Sequence, residues 1–136
     1  MNRVEKALEY HKKGYNCSQS VACAFCDKTG LDEKTLFLVM EGFGFGGGDA
    51  QGTCGAVAGA CAVLGLINST GNLDAPDSKA NTYKLAKELN EKFRAKNVST
   101  ICKDLKGIET KKVLRSCDGC IEDAAQILCQ MLGEEA

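Results

Sequence analysis

The sequence predicts an all-α fold, a single-domain bundle of about six or seven helices covering residues 1–136. Three observations predict it. Apolar residues recur at three- and four-residue spacing along most of the chain, as a buried helical face requires. No stretch alternates apolar and polar residues in the manner of a half-buried strand. At 136 residues, without a fixed-period repeat or interior linker, the chain suits one domain whose core needs no staples.

Val4, Ala7, Leu8 and His11 form one face of a first helix that stops near Gly14. A second helix runs from Cys17 to about Lys28, with Gly30 as its stop; its VACAFC centre is apolar all round and should be buried. A third covers roughly Glu33 to Glu41. The glycine run EGFGFGGGDAQG follows, then a small-residue helix from about Cys54 to Ile67. Gly71 to Asp77 is a turn region holding the single proline. A charged amphipathic helix comes next, with Tyr83, Ala86, Leu89 and Phe93 as its inner face and its lysines and glutamates solvated. A short helix starts near Cys102 and ends around Gly107. The last runs from Cys117 to Leu132 on Ile121, Ala124, Ala125 and Leu128.

Formal charge is −1, from 17 basic and 18 acidic residues, so no overall field draws the chain to nucleic acid or membrane. The longest apolar run, Ala56 to Ile67, falls short of the roughly 20 residues a spanning helix needs. The charged opening NRVEKALEYHKK carries no apolar signal core. The expectation is a soluble cytoplasmic protein, with neither nucleic acid nor membrane as a partner.

Cysteine is the outlier, with nine residues at 17, 23, 26, 54, 61, 102, 117, 120 and 129. In a reducing compartment such enrichment points to metal binding, redox work or small buried hydrophobes. The positions divide the nine. Asn16 precedes Cys17 and, with Gln19, resembles a capping box. Thr53 precedes Cys54, Ser99 and Thr100 lie just before Cys102, and Ser116 precedes Cys117. Because these residue types accept bonds from free helical N–H groups, Cys17, Cys54, Cys102 and Cys117 read as first-turn residues. A helix start carries about half a positive charge and so favours the thiolate, the form that acts as nucleophile or ligand. Lys103 and Arg115 could add to this. Cys23, Cys26, Cys61 and Cys129 fall inside helices and read as packing.

The segments NCSQSV from Asn16, TCGAVAG ending at Gly59, ICKDLKG around Cys102 and SCDGCIEDAAQIL from Ser116 resemble a known family. It is the family of putative redox-active proteins named for its Cys, Gly-Cys-Ala-x-x-Gly, Cys, Cys pattern. The resemblance spans about Asn16 to Leu128 and places the signature cysteines at Cys17, Cys54, Cys102 and Cys117. It implies a helical domain with redox or metal-linked chemistry and supplies no reaction.

Other signals weigh less. Gly42 to Gly47 matches G-x-G-x-x-G, but a helix precedes it where a dinucleotide loop needs a strand. The glycines, with Gly55 and Gly59, are read as allowing close backbone approach to a sulfur site or a neighbouring helix. Of two C-x-x-C pairs, Cys23/Cys26 sits in an apolar helix and is explained by packing. Cys117/Cys120 opens a helix as in dithiol oxidoreductases, where Cys117 would attack and Cys120 resolve. Asp27 and Ile121 follow the two pairs, which excludes covalent c-type haem. His11 reads as a core-edge histidine, and Glu41, Asp49 and Glu122 show no acid–base pairing.

Converging thiolates need protons, oxidation or a metal to balance their charge. Three readings stay open at this point. The four cysteines cycle between dithiol and disulfide with a redox partner protein or small oxidant. Alternatively they hold Zn or an iron–sulfur cluster. In the third, the chain is a structural or interaction domain with buried cysteines.

Overall fold

In the computed structural model, which describes residues 1–134, eight α-helices follow one another in the expected order. They are α1 (Arg3–Lys13), α2 (Cys17–Ala24), α3 (Cys26–Thr29), α4 (Glu33–Met40), α5 (Gly55–Asn68), α6 (Lys79–Asn97), α7 (Cys102–Lys106) and α8 (Cys117–Leu132). Among the described residues there is no strand, only an isolated antiparallel bridge between Thr53 and Ile101. The all-α expectation therefore holds. No helix among the described residues is long and apolar enough to cross a membrane.

Two elements differ from the sequence reading. The helix expected from Cys17 to about Lys28 is two helices, because Phe25 leaves helical geometry at φ −113°, ψ 17°. Its fully buried ring anchors the break. Tyr83, assigned to the inner face of α6, is 66% exposed, while Leu89 and Phe93 on that face are fully buried. The hydrophobic stripe faces inward only once α6 has turned onto α5 and α8.

The core forms around α2, which packs against α1, α4, α5 and α8. Seven of its eight residues are buried, including Ser18, Gln19 and Ser20. Two of the polar ones are held by long-range bonds: Ser18 Oγ donates to the Met40 carbonyl at 2.7 Å and Gln19 Nε2 to the Phe37 carbonyl at 3.0 Å. The closest partner, α5, approaches through glycine. A Cβ on Gly59 would lie 2.5 Å from the Ser18 carbonyl oxygen, so the backbones meet where only hydrogen fits. This fixes the start of α2 beside the start of α5.

Candidate thiol site

Backbone pairing brings the other sulfurs to the same place. The Cys54 N–H donates to the Thr100 carbonyl at 2.7 Å, the Cys102 N–H to the Gly52 carbonyl at 3.0 Å and the Lys103 N–H to the Ala50 carbonyl at 2.9 Å. The glycine loop is thus stitched to the connection between α6 and α7. Gly46 makes the close approach, since a Cβ there would meet the Cys102 Cβ at 2.6 Å. Beyond α7, the Leu114 N–H donates to the Leu105 carbonyl at 2.9 Å and returns the chain to start α8 beside α7.

The result is a cavity of about 200 Å³ into which Cys17, Cys54, Cys102, Cys117 and Cys120 project, with Lys106 and His11 on its wall. All nine cysteines are free. Cys23 and Cys129 are buried in the core elsewhere. Cys26 donates to the Leu31 carbonyl at 3.1 Å, and Cys61 lies against Asn90. These four line no part of the cavity.

The caps are of two kinds. The Asn16 side chain accepts from Gln19 N–H and completes a capping box, and Ser116 accepts from Gly119 N–H. The expected caps at Thr53 and at Ser99/Thr100 are not formed. Cys54 is itself the N-cap of α5, while Thr53 is spent on its bridge to Ile101. Ile101 occupies the N-cap of α7, and Ser99 accepts instead from the Ile101 N–H. Cys54 is therefore one position earlier than a first-turn residue.

Inside the cavity the sulfurs form two contacts. Cys17 pairs with Cys117 and Cys120 with Cys54, each pair shifting its two thiols in opposite directions. The Cys120 sulfur also lies 4.0 Å from the Arg115 carbonyl oxygen. The Cys17 contact, helped by the Lys106 ammonium 2.8 Å from the Cys117 sulfur, lowers Cys117 to about 5. The Cys120 contact and the Ala56 and Val57 N–H groups at the start of α5 lower Cys54 to about 7. Cys17 and Cys120 are pushed up in turn, each first by its paired sulfur and then by burial. Burial also raises Cys102, which has no thiol partner. Of the four helix-start cysteines, then, only Cys54 and Cys117 carry lowered pKa values.

Lys106 is the group the sequence reading passed over. Lys103, one of the two cations singled out, turns to Glu109 at 3.5 Å. The other, Arg115, reaches Asp123 at 3.1 Å. Lys106 stands four residues after Cys102, a spacing that puts both on one face of α7, and that spacing could have pointed to it. The Phe45 ring lies 5.5 Å from its ammonium group and holds a left-handed φ of 50°. His11 is half-buried and joins Asp118 through Nδ1 at 2.6 Å.

For a metal, the donor set was expected to be the four cysteines. Among the described residues no three His, Cys, Asp or Glu side chains are arranged to hold a metal ion.

The fold and site define the class: a helical domain in which five cysteines line one cavity. The chain belongs to the C_GCAxxG_C_C family, described as "putative redox-active protein", whose model matches residues 15–131. No curated protein and no solved structure matches the chain.

Proposed function

We propose that the chain is a thiol–disulfide redox protein in which Cys117 attacks and Cys17 resolves. The observation that carries this reading is the Lys106 ammonium 2.8 Å from the Cys117 sulfur, with Cys17 in the same cavity. In the reaction, the Cys117 thiolate attacks one sulfur of a disulfide R–S–S–R′, forms Cys117–S–R and expels R′S⁻. Cys17 then attacks the Cys117 sulfur, forms the Cys17–Cys117 disulfide and expels RS⁻, which takes the Cys17 proton. Two electrons pass from the protein to the substrate. Lys106 stabilises Cys117 as the attacking thiolate.

Cys17 is preferred to Cys120 as the resolving thiol because its sulfur contacts Cys117, whereas the Cys120 sulfur contacts Cys54. Both Cys17 and Cys117 are half-buried, within reach of a redox partner protein or a small oxidant. A reducing cytoplasm suits nine free thiols.

The test is reaction of the reduced protein with oxidised glutathione. The expected product is a Cys17–Cys117 disulfide, found by peptide mapping. Cys17→Ser should accumulate glutathione on Cys117, and Cys117→Ser should abolish the reaction. Adduct accumulation in Cys120→Ser but not in Cys17→Ser would make Cys120 the resolving thiol. An unreactive wild-type protein would remove the redox reading.

A further inference from the structure

The outer couple uses two of the five cavity sulfurs. We propose, resting on the redox reading above, that Cys54 and Cys120 form a second, inner dithiol couple that reduces the Cys17–Cys117 disulfide, so that the domain stores four electrons. The two couples share one cavity. They differ in access, for Cys54 and Cys120 are only 5% and 2% exposed while Cys17 and Cys117 are half-buried. An external disulfide therefore meets the outer sulfurs first, and the inner pair exchanges through them.

The inner pair is built as a couple. Cys54 caps the fourteen-residue helix α5, and Cys120 lines the same cavity from the first turn of α8. Cys54 also lies close enough to both Cys17 and Cys117 for its charge to act on each. Cys102 shares the cavity on the short helix α7, and the bridge mapping below separates it from Cys120.

The exchange balances. The Cys54 thiolate attacks the Cys17 sulfur of the outer disulfide, a Cys54–Cys17 bond forms and Cys117 leaves as a thiolate. Attack at Cys17 is favoured over Cys117 because the better leaving group is the thiolate held by Lys106. Cys120 then attacks the Cys54 sulfur, the Cys54–Cys120 disulfide forms, and Cys17 leaves with the proton that Cys120 gives up. Two electrons move from the inner to the outer couple, one thiolate enters and one leaves, and the outer dithiol is ready again.

The experiment is an anaerobic titration of the fully reduced protein with oxidised glutathione, with free thiols counted and bridges mapped after each equivalent. One equivalent should leave Cys54–Cys120 as the main bridge, and two equivalents should consume four thiols. Cys120→Ala should consume only two, leaving Cys17–Cys117. A wild-type protein that loses only two thiols and retains Cys17–Cys117 overturns the inner couple while leaving the redox reading intact. A bridge through Cys102 after one equivalent also overturns it. Loss of no thiols at all overturns both. The wild-type mapping needs no substitution in the core, so misfolding of the variant cannot decide the outcome.

Discussion

The Lys106 ammonium nitrogen lies 2.8 Å from the Cys117 sulfur, a contact between the end of α7 and the first position of α8. A cation on a sulfur stabilises the thiolate, and Lys106 is itself raised by the same contact. The sign for reactivity follows. The thiolate fraction grows as pH rises through the folded pKa, so alkylation of Cys117 should climb near pH 5 and level off above it. An ordinary thiol is still climbing through about 8.5. At pH 6 the larger thiolate fraction outweighs the lower intrinsic nucleophilicity by about tenfold. Lys106→Met should move the rise to higher pH by about one unit. Iodoacetamide labelling followed by peptide mass spectrometry measures both profiles; superimposable curves would deny Lys106 its role.

Cys17 lowers the Cys117 value alongside Lys106. Cys17→Ala should therefore displace the Cys117 profile to higher pH, as Lys106→Met does. Cys17→Ser retains a hydrogen-bond donor and should recover part of the shift. The same labelling series distinguishes donation from mere packing: if alanine and serine give one profile, the donated proton is irrelevant.

The glycine loop makes a prediction about stability. A Cβ on Gly46 would meet Cys102 Cβ at 2.6 Å and Ala50 Cα at 2.8 Å, at a φ of 58°. Gly47, at φ 83°, has nothing within 4 Å. Gly46→Ala combines overpacking with a left-handed alanine and should cost about 3 kcal/mol. Gly47→Ala carries only the backbone term, about 1 kcal/mol. Urea unfolding of the two variants gives the comparison, and equal losses would mean that the Cys102 contact is not what requires glycine at 46.

These cases mark how far the sequence was legible. Helix positions followed from apolar spacing because burial of one face is a local, periodic demand. The caps at Asn16 and Ser116 could be read for the same reason, each being satisfied within three residues. Thr53 could not, because its role is set by Ile101, far along the chain. Lys106 was hidden by the same kind of cause. Lys103 is adjacent to Cys102 in sequence, yet the helix turns it toward Glu109 and brings Lys106 to the cavity. Which sulfurs share the cavity is decided by tertiary packing, whereas C-x-x-C spacing reads only along the chain.

The wall behind Cys120 rests on a buried carboxylate, which gives the last prediction. Asp123 is 8% exposed at its side chain and accepts from Arg115 at 3.1 Å and from Asn97 Nδ2 at 3.1 Å. The Arg115 carbonyl oxygen also lies 4.0 Å from the Cys120 sulfur, so the ion pair holds the backbone against which that thiol packs. Arg115→Met leaves Asp123 charged with only the neutral Asn97 amide, and should cost about 2 kcal/mol. Because the arginine is itself 37% exposed, water reaches the gap and keeps the loss below that of a fully buried pair. Asp123→Asn leaves the arginine in contact with solvent and should cost less. Adding it to Arg115→Met removes the orphaned charge and should recover about 1 kcal/mol of the loss. Chemical denaturation of the two single variants and the double measures the coupling. If the double variant is as unstable as the sum of the singles, the pair contributes packing rather than charge.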